Sequence, residues 1–182
     1  MDMQKILEYR NARNRFCQRI GITVTELSPG YAKVVKTVTE DDLNPVDVAH
    51  GGLFFSMADN AAGSAMAAYG EQAVTLNAQY NFMRAAKAGD VLTAEAREAK
   101  HGGTVCVFDI RITDQDGNLD GTGTFTFYNL KKPLKIDGAK KVCPEVSGQT
   151  FYLDYFLKLS FRLTLRLNTG WPALVSLLSR QK

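Results

Sequence analysis

The sequence predicts an α+β domain in which one long buried helix is wrapped by a curved antiparallel sheet. Three observations lead there. Residues 53–69 (LFFSMADNAAGSAMAAY) are rich in Ala, Leu and Met, and their apolar positions fall all round the helical wheel, which marks a buried helix rather than an amphipathic one. Six other stretches read as strands, and glycine- or proline-bearing turn signals separate them. A helix apolar on every side needs cover on several sides, and a curved antiparallel sheet can supply much of it.

In chain order, residues 2–19 predict a short helix, with Ile6, Leu7, Tyr9, Arg13 and Phe16 forming an imperfect stripe. Ile22–Leu27 and Tyr31–Val38 alternate and are joined by Ser28-Pro29-Gly30, the pattern of a hairpin. A polar segment from Glu40 to Val48 leads into His50-Gly51-Gly52 and then the apolar helix, with Gly70 as its C′ residue. Strands follow at 73–83, 91–100, 104–113 and 119–130, punctuated by Gly89-Asp90, His101-Gly102-Gly103 and Asp114-Gln115-Asp116-Gly117. The expected order is hairpin, helix, antiparallel meander. No repeat of 20–50 residues is visible.

Composition narrows the function classes. A length of 182 residues suits one domain with a substantial core, and 45% hydrophobic with 23% charged residues argues against disorder. A net charge of +3 does not by itself indicate nucleic acid. Cys17, Cys106 and Cys143 are odd in number and widely spaced, without zinc-ligand spacing. No metal is expected. The N-terminal MDMQKILEYRNARNRF has no apolar core of a signal peptide, and no uninterrupted apolar run reaches membrane-spanning length. A cytoplasmic location is the expectation.

The chemistry concentrates at the start and middle of the helix. The first amides of a helix lack internal partners and carry the positive end of its dipole, a setting suited to an oxyanion. Glycines such as Gly51 and Gly52 let a carbonyl oxygen approach them closely; the plain alternative is a glycine-rich turn into the helix. Asp59 stands mid-helix among apolar residues, where a carboxylate must be paired, capped or functional. Nine residues from His50 correspond to about 13.5 Å of rise and about 900° of rotation, leaving Asp59 on the opposite face. If both elements act, a twofold pair of antiparallel helices must bring one chain's Asp59 to the other's helix start. Otherwise Asp59 is a carboxylate satisfied by backbone or Asn60.

Asn44-x5-His50-Gly51-Gly52-x6-Asp59 resembles the signature of the PaaI-like (phenylacetic acid degradation) thioesterases of the hot-dog superfamily. The likeness continues through Tyr80-Asn81-Phe82-Met83-Arg84 and Ala88-Gly89-Asp90-Val91-Leu92 and covers about residues 20–130. The resemblance implies a hot-dog domain, placed at residues 1–132, and hydrolysis of aryl- or medium/long-chain acyl-CoA thioesters without a cofactor, CoA being part of the substrate. It implies Asp59 as nucleophile or general base, the Gly51 amide as oxyanion hole, and Asn44 and His50 positioning water or thioester from the opposite subunit. Gly52 is expected at the substrate, and Arg84 at the CoA phosphates. Homodimers or dimers of dimers with shared sites follow, with no nucleic acid partner. Ala85 replaces the family's usual proline. Leu76 and Asn77 stand where relatives often carry small or hydroxyl residues near the acyl group.

Other signals weigh less. His101-Gly102-Gly103 precedes no helix and reads as a turn, while Lys87, Arg97 and Lys100 read as solvated charge. Residues 133–182 match no part of the family pattern and form an extension of unknown structure, in which 157–168 alternate strictly. The alternative class is a non-catalytic acyl-CoA sensor, which has no need of a mid-helix carboxylate. A hot-dog dehydratase would carry a different His and acid arrangement on the helix.

Overall fold

A computed structural model describes residues 2–136. The C-terminal stretch, including the alternating residues 157–168, lies outside the described residues. Helix α1 (Met3–Arg13) starts at Asp2, whose carboxylate accepts the Gln4 N–H at 3.0 Å. It does not continue to residue 19 as predicted. At Asn14 the side chain accepts the Cys17 N–H at 3.1 Å and opens a second helix, α2 (Arg15–Arg19). Asparagine competes with the helical backbone for such bonds, so it caps rather than propagates. The break shifts the helical phase: Ile6 is buried while Phe16 is exposed.

Strands β1 (Thr23–Ser28) and β2 (Tyr31–Thr37) form the expected hairpin. Beyond them a 3-10 turn (Glu40–Asp42) leads towards α3 (Gly51–Ala67), which starts two residues before the apolar run because His50 caps it. Then come β3 (Glu71–Phe82), β4 (Val91–His101), β5 (Val105–Thr113) and β6 (Leu119–Pro133). The sheet is six-stranded, antiparallel at every pairing, in the order β1-β2-β4-β5-β6-β3. Only β4, β5 and β6 form the predicted meander. β2 occupies the place beside β4, with Lys33 opposite Glu95, so β3 pairs with β6 and becomes the sheet's far edge.

α3 lies on the concave face of this sheet. Met57, Ala58, Ala61, Ala62 and Ala65 belong to one buried cluster with Val34, Ala94, Phe108, Ile110 and Phe125. The predicted cover is nonetheless incomplete. Gly52, Phe55, Ser56, Asp59 and Gly63 recur at helical spacing and form an uncovered or half-covered stripe, with Phe55 40% exposed. One sheet and two short helices cannot enclose a helix on all sides, and the stripe is what they leave. Among the described residues no helix is long and apolar enough to cross a membrane.

Close passage of β6 against β3 depends on glycine. A Cβ placed on Gly123 would meet the backbone oxygen of Gln79 at 2.6 Å, closer than carbon and oxygen can sit without a shift. Gly123→Ala is therefore expected to destabilise the fold by about 1–3 kcal/mol, the usual cost of overpacking a tight site. Urea unfolding of the variant beside wild type measures it; an unchanged midpoint would mean that β3 is not held this closely.

Candidate active site

The segment before α3 is pinned by Asp42. Its carboxylate meets Lys36 Nζ at 2.7 Å, both side chains nearly inaccessible, and accepts the Thr39 N–H and hydroxyl at 2.7 Å each. Burial works to raise this carboxyl, but the bonds from Lys36 and Thr39 outweigh it and hold the group below its ordinary range. The Asp42 carbonyl accepts the His50 N–H at 2.8 Å, which fixes the approach to the helix. Between them, Asn44 Oδ1 accepts from Val46 N at 3.0 Å and Val48 N at 3.4 Å. The side-chain oxygen is thus spent on the loop, and the Nδ2 end is the part suited to a ligand.

At the helix start, His50 Nδ1 accepts the Gly52 N–H at 2.9 Å. That nitrogen acts as acceptor, so the neutral ring carries its proton on Nε2. The Gly52 amide is occupied by this bond, and the Gly51 amide is left as the donor at the positive end of α3. A side chain at Gly51 would press on the Phe82 ring at 3.2 Å. A cleft of about 340 Å³ opens here, lined among others by Asn44, Gly51, Phe54, Phe82 and Arg84.

Asp59 does not line that cleft. It sits on the open stripe of α3, half-buried, and its Oδ1 accepts the Thr75 hydroxyl of β3 at 2.6 Å. Neighbouring Asn60 is not its partner: Asn60 Oδ1 accepts from Arg10 at 3.0 Å and Asn14 at 3.2 Å. Within one chain the structure therefore groups Asn44, Gly51 and Arg84 and leaves Asp59 apart, on the edge-strand side. Sequence reading missed Thr75. It pointed instead to Leu76 and Asn77, but a bulge between Thr75 and Asn77 leaves Leu76 60% exposed and gives the helix carboxylate to Thr75. The available signal was a hydroxyl one position earlier in the same strand.

Arg84, at the cleft's rim, meets Asp114 with Nη1 to Oδ2 at 3.1 Å. Asp114 is bound by the Asn118 side chain at 2.9 Å and 3.2 Å and by the N–H groups of Asp116 and Asn118. The Asn118 amide leads in holding this carboxyl below its ordinary range, with the backbone donors and Arg84 adding to it against burial. Asp120 is different. It is 1% exposed and its Oδ2 has no partner, and neither has the buried Tyr80 hydroxyl. Burial, then repulsion from Asp114, pushes Asp120 up to about 6, and burial likewise pushes Tyr80 far up. His101 lies at the β4–β5 turn as expected, its ring tilted against that of Tyr69 with centroids 4.2 Å apart and bonded to Glu98 at 3.0 Å. Arg97 lies over the Tyr31 ring. Among the described residues no His, Cys, Asp and Glu grouping suits a metal ion.

Comparison with known proteins gives these positions a context. Residues 47–120 match the family model described as the thioesterase superfamily. The acyl-coenzyme A thioesterase PaaI of Escherichia coli (strain K12) is 38% identical over 96 residues, covering 53% of this chain and 69% of that protein. The solved structure of the E. coli PaaI protein superposes with a TM-score of 0.68 at 29% identity, over 72% of this chain and 97% of that one. A thioesterase protein of Streptococcus pneumoniae solved with coenzyme A gives a TM-score of 0.60 at 31% identity, over 62% of this chain and 88% of that one. Two further structures of the pneumococcal protein carry alanine in place of an aspartate and of a threonine, separated by 16 residues like Asp59 and Thr75.

The state of Asp120 has a consequence for stability. A carboxyl raised above its unfolded value of about 3.9 favours the fold below that pH, and the advantage is lost as pH rises through about 6. Asp120→Asn is therefore expected to melt at least about 2 °C above wild type at pH 7.5, with the gap shrinking towards pH 4. A gap that stays constant across that range would show that Asp120 does not titrate there.

Proposed function

We propose that this chain, which belongs to the PaaI-like thioesterases of the hot-dog fold and is a thioester hydrolase, takes acyl-CoA thioesters and releases the free acid and CoA. The observation that carries the reading is a carboxylate set on the one open stripe of an otherwise buried helix, with a free amide at that helix's positive end. A thioester carbonyl seated at the Gly51 amide becomes more electrophilic, and the oxyanion formed on attack stays there. Thr75 orients Asp59 through Oδ1, leaving Oδ2 to act. Either Oδ2 attacks the carbonyl carbon and expels CoA thiolate, leaving a mixed anhydride that water then hydrolyses to the free acid and the carboxylate, or it takes a proton from a water that adds to the carbonyl, after which the C–S bond breaks and CoA leaves. Asn44 Nδ2 and His50 Nε2–H suit the positioning of the water or thioester. Neither route needs a cofactor.

Two copies complete the site in this reading. Asp59 and the Gly51 cleft are apart in one chain, and Asp59 is tied to β3, the sheet edge. That edge exposes Val74 and Leu76, and Phe55 is exposed on the stripe. A long edge strand left open, with apolar side chains exposed along it, is a liability, and pairing with a second copy covers it. A twofold axis through this region sets the partner's Asp59 at this chain's Gly51. The acyl group is aryl or medium- to long-chain, held at the subunit contact. Cys17 and Cys106 are free and buried, in keeping with a reducing, cytoplasmic compartment.

Thiol release from a panel of aryl- and fatty-acyl-CoAs tests the activity. Asp59→Ala is expected to lose about 10²–10⁴-fold in rate, and Thr75→Val about tenfold, the worth of a hydrogen bond to a charged group. Binding of acyl-CoA with no hydrolysis by wild type would favour a ligand sensor instead. Shared sites have their own test in co-expression of Asp59→Ala with Gly51→Ala, whose methyl crowds Phe82. Random dimers of two inactive chains should recover about a quarter of wild-type activity, one intact site in each mixed dimer. Recovery of none would place the whole site within one chain.

A further inference from the structure

The connection between β3 and β4 is clasped from both sides by one distant turn. At its start Arg84 is bonded to Asp114, and the Met83 and Arg84 N–H groups both donate to the Asp120 carbonyl at 2.8 Å and 3.1 Å. At its end Gln115 Oε1 accepts the Val91 N–H at 2.9 Å, and Gln115 Nε2 reaches Asp90 Oδ1 at 3.3 Å. All of these partners belong to the turn between β5 and β6 or to the first residues of β6. The turn is closed on itself by Asp114 and Asn118, through backbone and side chain together.

The piece so held carries a cation at the rim of the Gly51 cleft. The Arg84 side chain is half exposed, whereas Asp114 is 7% exposed, so the carboxylate is a fixed anchor and the guanidinium projects from it. One edge of the guanidinium is engaged through Nη1. The planar fork has five N–H donors, so donors remain for an oxyanion outside. An arginine already ordered by a buried carboxylate loses less rotamer freedom on meeting a ligand than a free surface arginine does.

We propose that the β5–β6 turn is a positioning element for substrate affinity: Asp114 aims Arg84 at the phosphates of the CoA moiety, so the turn sets KM and not the chemical step. This rests on the acyl-CoA reading above and adds which part of the substrate the rim recognises. Asp114 acts through Arg84 and touches no substrate. The source of specificity is the phosphate-bearing half of the thioester, whatever the acyl group.

The experiment compares kcat and KM for an acyl-CoA and for the matching acyl-pantetheine thioester, which lacks the nucleotide and its phosphates. Wild type, Asp114→Asn, Arg84→Gln and the double variant are assayed as full chains. Asp114→Asn and Arg84→Gln should each raise KM for acyl-CoA about tenfold with kcat within about twofold, as loss of one charge-assisted contact would. The double variant should be no worse than Arg84→Gln, and KM for the pantetheine thioester should not follow. Asn118→Ala, which loosens the carboxylate without removing it, should give the same split in smaller measure and serves if Asp114→Asn does not fold. Equal effects on both thioesters, a fall in kcat alone, or additive losses in the double variant would overturn the proposal while acyl-CoA hydrolysis stands. Failure of wild type to hydrolyse either thioester would instead remove the reading on which it rests.

Discussion

α3 can lie close on the sheet because alanine recurs on both of the surfaces that meet. Ala58, Ala61, Ala62 and Ala65 share one buried cluster with Val34, Ala32, Ala94 and Ala96, and small side chains let a helix axis approach strands without voids. Larger residues, Phe108, Phe125 and Phe127, belong to the same buried cluster. The rest of the molecule depends on this contact. It sets which side of α3 is enclosed and therefore which side, bearing Asp59, stays open.

Three carboxylates away from the helix show how the site's surroundings are held. Asp42 ties β2 to the loop that delivers His50, through a nearly inaccessible pair with Lys36. Asp114 orders the β5–β6 turn and Arg84 with it. Both gain enough bonds to stay ionised in spite of burial. Asp120 lacks such partners, and its elevated proton affinity is the physical record of a buried oxygen left without a donor. Its backbone carbonyl nonetheless holds Met83 and Arg84, so one residue combines a stabilising main chain with a costly side chain.

How much was legible beforehand varied with the range of the interaction responsible. The buried helix, the hairpin and the positions of β4, β5 and β6 were legible because periodicity and turn residues act over a few positions. The break at Asn14 was local too, yet a capping asparagine and an ordinary helical one look alike in sequence until the Cys17 amide is seen to use it. Thr75 was hidden by a bulge, which shifts register by one residue and cannot be read from alternation alone. Asp114 and Asp120 were hidden more deeply, because their importance comes from touching Arg84 and its neighbour Met83 across about thirty residues of chain.

By itself the sequence determined that an apolar helix would be sheathed in antiparallel strands, and that Asp59 would stand in it as a carboxylate requiring a reason. Burial of apolar surface and the cost of an unpaired charge are properties of residue type, so both follow from composition and spacing. Tertiary structure alone decided that β3 would take the far edge, that Thr75 would be the partner of Asp59, and that Arg84 would be anchored by the turn between β5 and β6. Those outcomes depend on which strands find each other and in what register, and pairing between distant segments is settled only when the whole sheet closes round the helix.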